Sequence, residues 1–328
     1  MKSLFNYVQQ LRNSKCTIII DNYSTWGGGT SPIINYYKYS IKMDENVKMI
    51  VHEGRFGFIK VVLSFCFSKK VVLNGLDILK YFHMLFYALL KSNIIIYPHT
   101  VMTQFNLLFK NHNIKRWLLK KLMKKKLIAC VSYYQKKVYS NVFNSQNLHV
   151  VYNNITIDNL SLDQSSVNIM MAGYFVEVKG VTFFSKLADH AKLNNEQWKF
   201  YWAGSGPPGG FYFSDNVTWL GELNYPRNVM TQCEVFFLSS YEDAFPLVCL
   251  EALSIGKKCV VYKDVGTAEV LSEVKGCGIY EKYDVNNAYS VLKKVIAEPL
   301  DKEKVSNIVQ MLAPVEKFAS RLDKLLEM

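Results

Sequence analysis

The feature that most limits what this chain can fold into is a rhythm of short, strongly apolar runs separated by longer amphipathic stretches. Ile94-Ile95-Ile96-Tyr97 and Val235-Phe236-Phe237-Leu238 are too short for helices and too uniformly apolar for half-exposed strands. Runs of this kind are strands buried on both faces, as in a parallel sheet covered by helices. Strands are expected at Cys16–Asp21, Val47–His52, Lys70–Leu73, Asn93–Tyr97, Leu127–Val131 and Leu148–Val151, then at Val167–Met171, Trp198–Ala203, Val217–Leu220, Cys233–Ser239 and Lys258–Tyr262. The polar segment Asn153–Ser166 interrupts the series and reads as a linker. The expected class is therefore α/β, with two doubly wound parallel-sheet domains facing a central cleft: an N-terminal domain over 1–160, a second over 161–310, and a C-terminal helix over 311–328 packing back toward the first. The stretch Lys302–Met328 reads as amphipathic helix throughout.

The 328 residues divide unevenly in charge. The overall balance is +12, but residues 1–164 carry +15 and residues 165–328 carry −3. Two halves with different partners follow. Between Lys110 and Lys126 lie eight basic residues and no acid, with Ile114, Trp117, Leu118, Leu119, Leu122 and Met123 at helical spacing. A solvated helix face, a nucleic-acid surface and a helix on an anionic membrane all fit that pattern. Trp117 amid leucines favours the membrane, with Lys115, Arg116, Lys120, Lys121, Lys124 and Lys125 as the basic flank. No apolar run approaches the ~20 residues of a spanning helix. Cys16–Ile20 is too short for a signal-peptide core, so a cytoplasmic protein, peripheral to the inner face of the cell membrane, is expected. Seven cysteines, an odd number with no C-x-x-C pair, read as reduced core residues.

The densest chemical signal is Ser239-Ser240-Tyr241-Glu242-Asp243-Ala244-Phe245-Pro246-Leu247-Val248-Cys249-Leu250-Glu251-Ala252, directly after an apolar strand. Pro246 suits the first turn of a helix, which would leave the amides of Leu247 and Val248 free for a phosphate. Asp243 before that helix and Glu251 within it are acceptors suited to polyol hydroxyls. An acidic helix start favoured by the macrodipole would explain Asp243 but not Glu251, which sits between Leu250 and Ala252. Lys179, in Gly173-Tyr174-Phe175-Val176-Glu177-Val178-Lys179-Gly180, can offer a point charge to a diphosphate. Gly204-Ser205-Gly206-Pro207 follows another strand, and Gly27-Gly28-Gly29 follows the first.

In this order the segments resemble the retaining glycosyltransferases of the GT-B fold, in particular the family-four, or group 1, type of bacterial surface polysaccharide synthesis. The resemblance runs over residues 16–325 through Ile18–Asp21 with Gly27-Gly28-Gly29, Val131-Ser132, Val150–Asp158, Gly173 with Lys179-Gly180, Gly204–Pro207, Trp219-Leu220-Gly221, Asp243 with Glu251, and Val265-Gly266-Thr267-Ala268-Glu269. Tyr174 and Phe175 stand where the family has an arginine, and Asp243 stands for a glutamate, with Glu242 a rival one residue earlier. The resemblance implies transfer of a sugar from a nucleotide sugar, a UDP-sugar for preference, with retention, no metal and no cofactor. The implied acceptor is a lipid-linked, lipopolysaccharide or O-antigen-type glycan. It further implies that Glu251 holds the ribose, Asp243 the donor sugar and Lys179 the diphosphate. Gly28, Gly29, Gly204, Gly206, Phe245, Leu247 and Val248 would complete the donor site, and His99, after a buried strand, would stand beside the sugar. As a plain loop residue His99 would need no function. His52 and Glu53, which also follow a strand, could line the acceptor side or do nothing.

A nicotinamide enzyme lacks support because no full G-x-G-x-x-G is present, with no acid on a second strand at the right distance. A nucleic-acid binder would leave Lys179, Asp243 and Glu251 without a role. A nucleotide-sugar epimerase or hydrolase of the same fold, or a capsule-type transferase, remains open. The six histidines show no metal-ligand spacing.

Overall fold

The computed structural model describes residues 2–21, 30–103, 106, 110, 112–155, 168–206, 209–223 and 226–328. The chain forms two compact units, Met1–Asn154 with Pro314–Met328, and Ile155–Ala313. Most of the linker read from the sequence lies outside the described residues.

The first unit is built on six parallel strands, β1 Cys16–Ile20, β2 Val47–Val51, β3 Val71–Asn74, β4 Ile94–Tyr97, β5 Leu127–Cys130 and β6 Leu148–Val150. They lie in the order β2-β1-β3-β4-β5-β6. Every residue of β1, β3 and β4 is buried, which is why their sequences are predominantly apolar rather than alternating. Ile19, Leu73 and Ile96 from these strands share one core with Leu119, Leu122 and Met123 of the helix Asn113–Lys125. The single polar residue inside β1, Thr17, meets Ser68 Oγ at 2.7 Å, so neither buried hydroxyl is left unpaired.

The expected terminal helix is two helices, Lys302–Leu312 in the second unit and Val315–Glu327 in the first. Pro314 causes the break. It has no amide for the helical ladder, and its ring would clash with the carbonyl four residues back. The last helix buries Phe318 against Tyr36 and Tyr97. Asp323 on it accepts a 2.7 Å hydrogen bond from Tyr36 and a 2.8 Å ion pair from Lys15.

The second unit holds β7 Asn168–Ala172, β8 Lys199–Ala203, β9 Val217–Trp219, β10 Val235–Leu238, β11 Lys258–Tyr262 and β12 Gly278–Tyr280. All are parallel, in the order β12-β11-β10-β7-β8-β9. Counted from its own first strand this is the Rossmann order 3-2-1-4-5-6, whose reversal falls between β7 and β10. Ligands of such sheets lie outside the carboxyl ends of the two strands at the reversal. β12, three residues long, has no counterpart among the strands read from the sequence. Two parallel six-stranded sheets, each with helices between its strands, make the GT-B class of fold. All seven cysteines are free thiols; five are buried, Cys277 is partly covered and Cys66 is exposed, so Cys66 departs from the expected core role. Among the described residues no helix is long and apolar enough to cross a membrane.

Candidate functional site

The loops that follow β7 and β10 bring together residues 64 apart in sequence. Lys179 Nζ donates to Asp243 Oδ2 at 2.6 Å, with both side chains still partly open to solvent. Because an ammonium has three N–H groups, the pair leaves Lys179 with donors to spare for an anion. The chain must take a left-handed turn at Gly180 (φ 70°) between the short turn Glu177–Lys179 and the helix Val181–Leu193. A Cβ on Gly180 would sit 2.1 Å from the carbonyl oxygen of Ser239 and 2.4 Å from the Tyr283 hydroxyl. The two loops therefore touch backbone to backbone. Ser239 ties them further: its hydroxyl donates to the Lys179 carbonyl at 2.7 Å, and its own carbonyl accepts from Tyr283 at 2.6 Å.

Asp243 is also fixed through its main chain. Its carbonyl accepts from the Gly266 amide at 2.9 Å, and it bridges Val265 in parallel fashion, linking the loops after β10 and β11. The helix Leu247–Ser254 starts four residues on, with Pro246 as its N-cap (φ −65°, ψ 106°) rather than in its first turn. Leu247 and Val248 thus hold the first two helical positions, where amides have no carbonyl of the same helix to bond and where the helix dipole is positive. Phe245 and Leu247 bury their side chains, so each can offer a ligand only its backbone. Glu251, half-buried, lies one turn along on the face that carries Leu247.

Two hydroxyls beside this ion pair escaped sequence reasoning. Ser240 Oγ, after β10, and Thr267 Oγ1, after β11, are buried without a hydrogen-bond partner among the described residues. Both lie within quoted motifs; what the sequence could not supply was that they are buried and unpaired. Gly204 has a packing reason for being glycine: a Cβ there would fall 1.8 Å from the Gly173 carbonyl oxygen. That carbonyl also accepts from Trp202 Nε1 at 3.0 Å, and Gly204 N donates to Gly221 at 2.8 Å, so the loops after β7, β8 and β9 are laced into one rim. Gly206 takes a left-handed turn (φ 98°) beside Phe175. Gly28 and Gly29 lie outside the described residues.

In the first unit, His99 follows β4 and its Nε2 meets Asn74 Oδ1 at 2.9 Å, which makes that nitrogen the donor. Nδ1 is then an acceptor, buried and unpartnered among the described residues. Burial pushes this imidazole down to about 3, so it is neutral at physiological pH. The Tyr97 hydroxyl donates to Asn153, fixing the end of β4 against the segment after β6.

The basic helix Asn113–Lys125 differs from its expected form. Leu119, Leu122 and Met123 are buried in the unit's own core and are not a free apolar stripe. Ile114 and Trp117 remain exposed, together with Lys120, Lys121, Lys124 and Lys125. Lys121 Nζ stands 3.7 Å from the centre of the Trp117 ring. Lys115 and Arg116 are half-buried, and Lys115 donates to the Lys80 carbonyl at 3.0 Å, so neither belongs to the open basic face. The side chains of Leu119, Leu122 and Met123 share the unit's core with Ile96 of β4 and Ile128 of β5.

Residues 155–310, which span the second unit's sheet, match the sequence model of the family Glycosyl transferases group 1. The chain carries a group 1 glycosyltransferase domain. One component of the human phosphatidylinositol N-acetylglucosaminyltransferase is 27% identical over 162 residues, which are 44% of this chain and 34% of that protein. The match therefore spans about a third of the human protein's length. Among solved structures, HepE of Anabaena in complex with UDP and glucose superposes with a TM-score of 0.69 at 13% identity, covering 95% of this chain and 99% of that one. The sucrose-phosphate synthase of Thermosynechococcus elongatus gives 0.72 at 12% identity, covering 95% and 98%. WaaB, a lipopolysaccharide outer core galactosyltransferase, gives 0.70 at 14%, covering 95% and 99%. At these identities the structural likeness concerns the fold. In this glycosyltransferase domain the Lys179–Asp243 pair, the amides of Leu247 and Val248, and the hydroxyls of Ser240 and Thr267 are carried by loops at the β7/β10 reversal and on β11 beside it. Among the described residues no group of three or more His, Cys, Asp or Glu is placed to hold a metal ion.

Proposed function

We propose that the chain transfers a sugar, with retention, from a nucleoside-diphosphate sugar to a lipid-linked or lipopolysaccharide-type glycan, and that UDP is the nucleotide. The observation that carries this reading is the Lys179–Asp243 pair at the sheet's reversal, beside the start of the helix Leu247–Ser254. Lys179 and the amides of Leu247 and Val248 would hold the diphosphate and stabilise it as it leaves. Preorganised donors of this kind lower a barrier by about 3 kcal/mol each. With that positive charge in place a metal has no obvious task, and we read the reaction as metal-independent. Glu251 would hold the ribose, with Asp243, Ser240 and Thr267 around the donor sugar. His99, neutral and with a free acceptor nitrogen, suits a sugar hydroxyl. HepE, bound to UDP and glucose, supports the choice of nucleotide, and WaaB supports the acceptor class.

The exposed lysines and Trp117 would hold the first unit on an anionic membrane at the inner face of the cell, where a lipid-borne acceptor is found. The decisive assay measures transfer from UDP-sugars to lipid-linked glycans, with and without chelator, and reads the anomeric configuration of the product by NMR. Retained configuration, chelator insensitivity and loss of transfer in Glu251→Ala with an unchanged urea midpoint are expected. Full transfer by Glu251→Ala would overturn the site, and inversion would overturn the mechanism.

A further inference from the structure

Tyr283 follows the edge strand of the second sheet, yet its hydroxyl reaches the loops that carry the Lys179–Asp243 pair. It belongs to the connection Glu281-Lys282-Tyr283-Asp284 between β12 and the helix Val285–Ala297. Hydrogen bonds fix that connection. Asp284 caps the helix by accepting from the Asn287 amide at 2.9 Å, and the Asn287 side-chain oxygen accepts from the amides of Glu281 and Lys282 at 2.9 and 3.0 Å. The Tyr283 ring stacks on Phe183 of the helix Val181–Leu193, with centroids 4.2 Å apart, and meets Tyr241 and Tyr262 edge-on at 5.9 and 5.2 Å. A phenol anchored at its backbone and around its ring places its hydroxyl closely. Burial raises the pKa of this phenol above its ordinary value, so it stays a hydrogen-bond donor.

The hydroxyl donates at 2.6 Å to the carbonyl of Ser239, which follows β10. Because β11 lies between β12 and β10, this contact bridges a strand. The Ser239 hydroxyl donates onward to the Lys179 carbonyl at 2.7 Å, so the loops after β12, β10 and β7 form one hydrogen-bonded chain. The sheet itself does not make that link: β7 pairs with β10 through Ile169–Val235 and Met170–Phe236, and the pairing does not extend to Lys179 or Ser239. The Tyr241 amide, 3.2 Å from the Val178 carbonyl, ties the same two loops from within. Tyr283 ties them from outside. Ser239 is fully buried, and its carbonyl oxygen abuts Gly180, where a Cβ would fall 2.1 Å from it. The oxygen that receives the Tyr283 hydroxyl is therefore the surface on which the residue after Lys179 rests. Without that donor the carbonyl loses a buried hydrogen bond, and a backbone shift that compensated would carry Gly180 and Lys179 with it.

We infer that Tyr283 is a positioning residue for the diphosphate site, holding Lys179 where its ammonium group and the amides of Leu247 and Val248 grip the same diphosphate. The inference rests on the transfer reaction proposed above and adds to it a residue that acts through Ser239. A displaced ammonium group loses grip quickly, because a charged hydrogen bond to phosphate weakens with both distance and angle. Side chains that hold a site residue in place are part of its affinity for that reason.

Tyr283→Phe removes the hydroxyl and keeps the ring on Phe183. Tyr280→Phe is the matched control, since the Tyr280 hydroxyl also meets a β10 carbonyl, that of Leu238 at 3.4 Å, but one with no onward bond to Lys179. The readout is calorimetric titration with the tightest binding of UDP, GDP and ADP, on the wild-type protein, both phenylalanine variants, Lys179→Met, and the double variant Tyr283→Phe with Lys179→Met. Tyr283→Phe should weaken the nucleotide about fivefold, the worth of one ordinary hydrogen bond, and Tyr280→Phe should leave it unchanged. The double variant should bind as Lys179→Met does, within about twofold, because no ammonium remains to be misplaced. A general loosening of the unit would instead multiply the two losses. Wild-type affinity in Tyr283→Phe, an equal loss in Tyr280→Phe, or multiplied losses in the double variant would each overturn this role while leaving the transfer reading intact. If the wild-type protein bound none of the three nucleotides, the transfer reading would fall and this role with it.

Discussion

Gly180 offers a direct test of how the β7 and β10 loops are joined, because a matched control lies in the same unit. Gly180 and Gly256 have nearly the same left-handed φ, 70° and 73°. A Cβ on Gly256, just past the helix Leu247–Ser254, would meet nothing within 4 Å, whereas on Gly180 it would sit 2.1 Å from the Ser239 carbonyl oxygen. Alanine at either position incurs the left-handed penalty of about 1 kcal/mol. At Gly180 the carbonyl must also retreat by about 1 Å, which adds an overpacking cost of about 1 to 3 kcal/mol. That retreat strains the Tyr283 to Ser239 hydrogen bond, worth about 1 kcal/mol more. Gly180→Ala should therefore cost about 4 kcal/mol in urea denaturation followed by tryptophan fluorescence, against about 1 kcal/mol for Gly256→Ala. Because Lys179 is the preceding residue, UDP affinity should fall in the first variant and hold in the second. If the two variants lose the same stability within about 0.5 kcal/mol, the loops do not meet as described.

Replacing Lys120, Lys121, Lys124 and Lys125 together by Gln should release the protein from anionic liposomes in sedimentation while leaving UDP binding unchanged; co-sedimentation as before would remove the membrane face. His99 should contribute to acid lability. Its imidazole is held down to about 3 from an ordinary value of 6.5, so below pH 6.5 the unfolded chain takes up a proton that the folded chain refuses. Its share of stability is complete above pH 6.5 and is lost as pH falls toward 3, at on the order of 1 kcal/mol per pH unit. His99→Gln should flatten the slope of the urea midpoint between pH 6 and 4.5 by about that amount, and an unaltered slope would contradict the burial of this ring.

The strands were legible because each is a local event. A fully buried parallel strand must be apolar throughout, so Ile94–Tyr97 and Val235–Leu238 declare themselves without knowledge of their neighbours. Strand order is not local, and nothing in the runs says that the first sheet is ordered β2-β1-β3 while the second follows the Rossmann order. The same limit hid the Lys179–Asp243 ion pair. Each residue stood out in its own motif, but their contact arises because β7 and β10 are neighbours across the reversal. The helix Asn113–Lys125 failed for another reason. Its apolar positions are consistent with a core face or a membrane face, and the sequence period alone cannot divide Leu119, Leu122 and Met123, which are buried, from Ile114 and Trp117, which are not. Gly204 illustrates a motif residue whose identity is explained by packing, since the Gly173 carbonyl occupies the space a side chain would need.

The central claim is that the second unit holds a nucleoside diphosphate on Lys179 and the start of the helix Leu247–Ser254. Calorimetric titration with UDP, with GDP and ADP alongside, on the wild-type protein and on Lys179→Met addresses it most directly. The account predicts saturable binding of UDP by the wild-type protein, ahead of the other two nucleotides, and at least about a tenfold loss in Lys179→Met, as expected when a charged hydrogen bond to a phosphate is removed. Equal affinity in the variant, or no nucleotide bound by either protein, would contradict it.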